Sequence, residues 1–566
     1  MPFYNSESHF AQVPSIDIQR SKMKIPFDHK TSFDFGRLVP LYVDSDILPG
    51  DTVRVTQSFV ARLQTLLTPV MDDARLELAA FFVPHRLVWN NFKKMMGESD
   101  NPWIQPTQYA IPTISSPSGG FNTGTVADYM GLPVGVQWSN TDANAPDVLP
   151  FRAYAQIWND FYRDTNLQYA INIDKTDANA TGSNGTTYLT DSVCGGVLLP
   201  VAKTHDYFTS ALPSAQRAAA PVSFPLINKT MAPVKATDKD SGNRASIAHV
   251  QPIPGVVNPS QYHGVALDSN SNLKIGSGQT TVAAASHTWA LGDSTTYFTP
   301  VNLWADLSSS VGAVTVNELR LAFQLQKWYE RSALGGNRYT DLVRAMFSVV
   351  SPDARLQRAE FLGGTSVPIV INSVVNNSES ANYKLGNLGA MSNTSDSSVL
   401  FEHSFTEHGT LMILGYARIS SRTYSQGLHK QWLRRTKEDF YWPVFAHLGE
   451  QPIKVAEIYA TGHMNDDDVF GYQEAWAEYR YRPNMTTGFM RPGISGSLAS
   501  WHFGDYYQSQ PYLSDAWIQE GVENVDRTLA VTTAAGTNQV FGEFFFDMEY
   551  TRPMPVYSVP GLIDHF

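Results

Sequence analysis

The chain has 566 residues, of which 43% are hydrophobic, 12% aromatic and only 17% charged. That is more chain than one hydrophobic core usually organises, so several domains or one domain with long insertions are expected. Charge well under the ~25% of ordinary soluble domains implies surface that is buried between subunits or dressed in Ser, Thr, Asn and Gly. A formal net charge of −12 excludes a polycation and leaves nucleic-acid contact to local basic patches. The single cysteine, Cys194, excludes an intrachain disulfide framework and any multi-cysteine metal site, and suits folding in a reducing compartment.

In chain order, the opening MPFYNSESHF lacks the basic and apolar regions of a secretory signal. No apolar run reaches the ~18 residues of a membrane span. Residues 1–50 read as an N-terminal arm, and Arg20, Lys22, Lys24 and Lys30 form a flexible-looking basic run able to reach a nucleic acid. The stretch 51–164 begins a β-rich body. DTVRVTQSFVARLQT (51–65) alternates through Val53, Val55 and Phe59, and ARLELAAFFVP (74–84) ends at Pro84, both strand signatures. No glutamate occurs between Glu98 and Glu318, which argues against long surface helices there. Turn formers crowd that stretch at 115–124, 176–187 and 268–279, so 165–310 reads as a large irregular or β-rich insertion. Val197, Leu198, Leu199, Phe224, Trp289 and Trp304 are more apolar punctuation than a solvated linker carries.

Beyond the insertion, TVNELRLAFQLQKWYERSALGG (315–336) reads as a helix with Thr315 as N-cap, Glu318 at capping-box spacing and a terminating glycine pair. A second helix, TDLVRAMF (340–347), takes Thr340 as its N-cap. Strand-like runs return at 409–420, 452–460, 477–483 and 543–557. Strands far apart in sequence with long excursions between them are the pattern of a sheet sandwich or jelly roll. No repeat of 20–50 residues suggests a solenoid or propeller.

The motifs of catalysis and cofactor binding are missing: there is no P-loop and no HExxH. His403 and His408, five apart, read as ordinary strand histidines on opposite faces and not as shared ligands. Asp466, Asp467 and Asp468 fail the EF-hand template because Phe470 replaces an oxygen ligand, and they read as an acidic turn. Glu474 and Glu478 are a pair that chance supplies among 53 acids. No catalytic residue, metal ligand or cofactor is expected. From Tyr416 to Lys437 the chain is free of acids and carries Arg418, Arg422, Lys430, Arg434 and Arg435 among Tyr416, Tyr424, His429 and Trp432. Cations for phosphate and flat rings for unpaired bases are the means of sequence-tolerant single-strand binding. Subunit contacts, where Arg is enriched, are the competing use.

Six ordered blocks then carry a family resemblance. They are KTSFDFGRLVPLYVDSDILPGDTVRV (30–55), FFVPHRLVWNNFKKMMGE (81–98), the run 318–364 from ELRLAFQLQKWYERSALGG to FLGG, HGTLMILGYARISSRTY (408–424), DFYWPVFAHLGEQPIKVAEIY (439–459) and DVFGYQEAWAEYRYRPN (468–484). The chain resembles the major capsid proteins of the gokushoviruses, in the Microviridae, over nearly its whole length outside 165–310. The resemblance implies a mainly β fold, a viral eight-stranded jelly-roll barrel with long inter-strand insertions and a few short helices. It implies a 60-copy T=1 shell around circular single-stranded DNA, assembled in the bacterial cytoplasm. It also implies a threefold protrusion from about 200–300 that meets a bacterial receptor, with the jelly roll resuming over 311–566. Implied partners are further copies of the chain, the packaged DNA, a small basic internal protein and a minor or pilot virion protein. A lectin-like β-sandwich or a trimeric spike adhesin shares the strands, aromatics and polar loops, and uniform icosahedral particles would separate the three.

Overall fold

Period-two burial along a few long segments decides the architecture. The computed structural model describes residues 19–98, 109–216, 316–335, 338–350, 352–353, 357–379 and 384–557, with short strand segments between 234 and 305. Eight long strands build the main body: β1 (Ser21–Phe33), β2 (Val39–Ile47), β3 (Thr52–Leu63), β4 (Ala74–Pro84), β5 (Glu360–Pro368), β6 (Thr394–Ser404), β7 (Gly409–Ile419) and β8 (Val540–Arg552). They form two antiparallel sheets with strand orders β1-β8-β3-β6 and β5-β4-β7-β2. Successive strands cross between sheets at every step except β4 to β5. Those two are neighbours in the second sheet although residues 85–359 separate them. The fold is mainly β.

In β3, Val53, Val55, Gln57, Phe59, Ala61 and Leu63 are buried while Arg54 and Val60 are exposed, as a pleated strand covered on one face requires. On β8, Phe544, Phe546, Met548 and Tyr550 fill the space between the sheets. Phe544 meets Phe59 at 5.6 Å and Phe33 at 6.5 Å between ring centroids, and Phe546 reaches Tyr42 of the other sheet at 6.3 Å. Truncating Phe546 to alanine is expected to cost about 3–5 kcal/mol. Tyr550 Oη donates to Asp44 Oδ2 at 2.8 Å, which gives the buried phenol the partner it needs.

The two sheets differ in their outer faces. All of β7 except Arg418 is buried, because helix α1 (Leu149–Ile157) packs on β4 and β7 from outside. Tyr154 of α1 donates to Leu38 O at 2.6 Å, and buried Arg152 satisfies the carbonyls of Val88, Thr176 and Ala178. The outer face of the first sheet is open, with Val60, Phe541 and Phe545 exposed. Residues 420–539, between β7 and β8, build a second, smaller core from Tyr424, Ile453, Ile458, Phe470, Trp517 and Ile518, joined by Tyr207 and Phe208.

Several expectations are corrected. The stretch 1–50 is not an arm throughout, because β1 and β2 are sandwich strands whose inward residues Phe33, Val39, Leu41 and Ile47 are wholly buried. Residues 165–216 belong to the main body, where Ile171, Leu199, Val201 and Phe208 are core residues. The second compact unit is Ala218–Tyr329, with antiparallel pairs Val234–Ala236 with Leu303–Ala305, Val250–Gln251 with Thr299–Pro300, and Val265–Leu267 with Leu273–Ile275. Phe224 and Trp289 lie outside the described residues. The run 452–460 is half strand (Glu450–Lys454) and half helical turn (Val455–Ile458), started by the Lys454 N–H donating to Glu457 Oε1 at 3.0 Å. The alternating 477–483 is no strand: Trp476 at φ 68° breaks the extended chain, and a 3₁₀ turn follows at Ala477–Tyr479.

Helix α2 spans Val316–Gly335, and Thr315 lies outside the described residues. Helix α3 is Tyr339–Phe347, with Arg338 at the N-cap and Thr340 inside the helix.

Candidate nucleic-acid interface

The basic run from Tyr416 to Lys437 divides in two. Its first half is structural. Arg418, on β7, forks onto Glu77 of β4 with Nε and Nη2 both 3.1 Å from the carboxylate, and Tyr416 Oη donates to the same group. Arg422 has a side chain only 1% exposed. It donates to Asp505 Oδ1 at 2.6 Å and to Glu520, while Lys203 Nζ lies 3.7 Å from Asp505. Tyr507 Oη and Asn524 Nδ2 donate to Asp505 as well, at 2.8 and 2.7 Å. Burial opposes the charge on Asp505, but Arg422 and Lys203 outweigh it and hold the carboxyl below its ordinary value. Arg422 therefore departs from the expected role: its guanidinium is committed inside the protein and shows no face to a phosphate.

The second half of the run lies on turns. His429 accepts from Gln431 N at 3.2 Å and opens the 3₁₀ turn Lys430–Trp432. Trp432 is 65% exposed. Arg434 folds back between Tyr479 (4.3 Å) and Phe440 (5.3 Å), 3.6 Å from the buried carboxylate of Glu478. Arg435 is exposed, and its guanidinium donates to the carbonyls of Trp432 and Arg434, at 3.2 Å each. Lys430 is half-exposed and reaches Pro452 O at 3.4 Å. Trp432 and Arg435 are thus both exposed, and Lys430 beside them is half-exposed with its ammonium near the Glu457 carboxylate. Arg482, whose Nη2 donates to Gln431 Oε1 at 3.2 Å, joins them. It was missed because the alternation in AEYRYRP reads as a strand, although its interleaved rings and cations were the usable signal. Burial, then Arg482 and Arg434, pull His429 below its ordinary value, so neutral solution leaves it uncharged.

The N-terminal run is paired strand from Lys22 onward. Lys22, Lys24 and Lys30 lie along β1, opposite an acidic row on β8. Lys22 meets Glu549 at 2.8 Å, Lys24 meets Asp547 at 2.7 Å, and Lys30 meets Glu543 at 2.9 Å and also Asp28. Arg20 precedes the strand and is exposed. Next across the sheet, Arg54 of β3 pairs with Glu402 of β6 at 4.0 Å. The outer face of the first sheet therefore carries alternating cationic and anionic rows that compensate one another.

Most of the other polar residues singled out by the sequence have local partners. His403 sits on β6, 3.8 Å from Glu360, whereas His408 precedes β7 and packs edge-on against Phe92. The two do not share a strand, which corrects the expected placement. Asp466 accepts from the N–H groups of Thr461 and Gly462, and Asp467 pairs with Lys454 at 2.7 Å. Glu474 is held by Arg480 at 2.9 Å, and Glu478 by Arg434 and Gln451. Among the described residues no group of three or more His, Cys, Asp or Glu could hold a metal ion.

Comparison with known proteins places this architecture. The sequence matches the phage capsid protein (F protein) family over residues 11–562. The chain belongs to that family. The capsid protein VP1 of Bdellovibrio phage phiMH2K is 39% identical across 99% of both chains. The VP1 proteins of Spiroplasma virus 4 and Chlamydia phage 1 are each 36% identical, over 99% and 98% of this chain and 98% of their own. The resemblance to microvirus capsid proteins read from the six sequence blocks is thereby confirmed. This capsid protein is a structural component of a virion shell and not an enzyme.

Proposed function

We propose that the eight long strands form the viral jelly roll of a 60-copy T=1 icosahedral shell around circular single-stranded DNA, assembled in the cytoplasm of a bacterial host. The observation that carries the proposal is the strand order. Two four-stranded sheets wired β1-β8-β3-β6 and β5-β4-β7-β2 support this reading, because two interlocked Greek keys crossing between facing sheets would give that order. Long excursions leave that frame only between strands, so shell contacts and surface features diversify without breaking a ladder. Electron microscopy of purified particles tests the proposal. Uniform icosahedral shells support it, whereas discrete trimers or stable monomers under native conditions count against it.

Within that shell, Lys430, Trp432 and Arg435 are the residues proposed to touch DNA. They combine cations with an exposed ring, and among the described residues neither cation forms a salt bridge, although Lys430 acts on the nearby Glu457 carboxylate. Arg20 is a further candidate. Lys22, Lys24, Lys30, Arg418 and Arg434 already have acidic partners and would contribute less. With 41 bases against 53 acids, the chain cannot neutralise a genome, so a small basic internal protein or small cations belong in the particle, alongside a minor or pilot protein.

The unit Ala218–Tyr329 is proposed as the surface protrusion that meets a bacterial receptor, shifting the expected 200–300 towards the C-terminus. The antiparallel pair Val234–Ala236 with Leu303–Ala305 brings the two chain ends of the inner segment together. Replacing 237–302 by a short Gly-rich turn should therefore keep shell yield and abolish attachment to host cells. Normal attachment would sink the receptor assignment.

A further inference from the structure

Directly after Asp439 the basic run gives way to FYWPVFAHL (440–448), which contains no Asp, Glu, Lys or Arg. Five of its side chains are exposed large hydrophobics: Phe440 (50%), Tyr441 (45%), Trp442 (52%), Val444 (87%) and Leu448 (57%). The segment is nonetheless held firmly. Asp439 accepts from the N–H groups of Arg435 and Thr436, both at 2.7 Å. Trp442 Nε1 donates to Lys437 O at 2.9 Å, and Tyr441 N donates to Tyr479 Oη at 3.1 Å. Pro443–Phe445 forms a 3₁₀ turn, and buried Trp476 pins it by donating to Phe445 O at 2.9 Å. The exposed rings are presented by a fixed backbone.

We infer that 440–448 is an anchor through which one copy of this chain docks on a second copy. The inference rests on the shell-building role proposed above and names a surface for it.

Area is the first argument. Bare aromatic side chains offer ~150–250 Å² each, so three half-open rings with Val444 and Leu448 leave on the order of 500 Å² of apolar surface within nine residues. That is more than half of the ~800 Å² each partner gives to a standard interface, and it equals the largest apolar patch, ~300–600 Å², of a typical monomer. Charge is the second argument. The chain carries a net −12, so copies repel at long range and approach most easily where charge is absent. The same lack of cations disfavours nucleic acid, whose binding needs phosphate neutralisation. Pre-organisation is the third. Rings already locked in place lose little entropy on docking, and Trp and Tyr are the side chains that dominate interface energetics.

The test is Val444→Asp in the full chain, with Leu448→Asp as an independent second variant and Val444→Ile as a conservative control. Both aspartates enter at exposed positions, so circular dichroism and melting should match wild type. Shell yield by sedimentation and negative-stain microscopy should fall at least tenfold for each aspartate variant and stay near wild type for Val444→Ile. Wild-type shell yield from both aspartate variants would overturn the inference. So would a variant that assembles normally but loses retained single-stranded oligonucleotide, because the occupant would then be nucleic acid. Absence of shells from the wild-type protein itself would instead overturn the assembly proposal on which the inference stands.

Discussion

Replacing Arg422 by methionine removes the guanidinium that lies between Asp505 and Glu520 while keeping most of the side-chain volume. The three side chains are 1%, 3% and 0% exposed, so the two carboxylates cannot turn to water for compensation. Removing one member of a buried ion pair costs about 3–5 kcal/mol, mostly because the other charge is stranded. Arg422 serves two carboxylates, and Lys203, 3.7 Å from Asp505, offsets part of the loss. The expected destabilisation is therefore on the order of 4 kcal/mol, a large share of the ~5–15 kcal/mol that typically separates folded from unfolded protein. It should appear as a low soluble yield and a melting midpoint lowered by roughly 4–10 °C.

The effect should also depend on pH. Asp505 has a folded pKa held below its unfolded value of ~3.9, chiefly by Arg422 and Lys203 acting against burial. Its contribution is present above the unfolded pKa and is lost as pH falls through the folded one. The gap between wild type and variant should therefore be full at pH 7 and close in strong acid. A soluble Arg422→Met protein that melts within a degree of wild type would refute this reasoning. Loss of packaged DNA at unchanged stability would refute it too, and would return Arg422 to the nucleic-acid surface.

Three further outcomes are expected. Arg435→Ala combined with Trp432→Ala should leave melting unchanged, as surface substitutions usually do, but lower DNA per shell and flatten the salt dependence of oligonucleotide binding. Equal loss of empty shells would make those residues structural. Glu450 is pushed up to about 7 by burial and by the facing carboxylates of Glu474 and Glu330. A carboxyl with a raised folded pKa contributes stability below its unfolded pKa that is lost as pH rises through about 7. Glu450→Gln should thus melt above wild type at pH 8 and level with it at pH 4, and the same difference at both pH values would contradict the assignment. His85 is pulled down to about 4 by burial and then by His408. It stays neutral in the fold, so stability of up to about 3 kcal/mol should drain away as pH falls from ~6.5 towards 4. His85→Gln should flatten that window in a melting series, and an unchanged acid slope would assign it elsewhere.

How far sequence alone reaches depends on what each feature rests on. β3 and β8 are legible because one face is covered and the other open, so Val53, Val55 and Phe59 alternate with Arg54, Thr56 and Ser58. β7 shows no alternation because α1 covers its outer face, and only its apolar length betrays it. AEYRYRP alternates without being a strand, since the decisive fact is the left-handed backbone of Trp476 one residue earlier. Cations pose the same problem over longer distances. Arg418 finds Glu77 across 341 positions, and Arg422 finds Asp505 across 83 and Glu520 across 98. No local count of charges within 416–437 reveals those partners.

One physical distinction accounts for part of the difference between the cations, although Arg422 and Arg434 lie off the strands and still meet carboxylates. A residue on a strand faces cross-strand neighbours about 5 Å away, and in a chain with 53 acids to 41 bases that neighbour is often a carboxylate. Lys22, Lys24 and Lys30 on β1 and Arg418 on β7 all meet one. A residue on a tight turn has no such enforced neighbour, and Arg435 is exposed instead. Exposure with no carboxylate in reach, and not position on a turn alone, therefore marks the better nucleic-acid candidates. The proposed interface at 430–435 rests on those exposed turn residues, whereas the N-terminal lysines knit β1 onto β8.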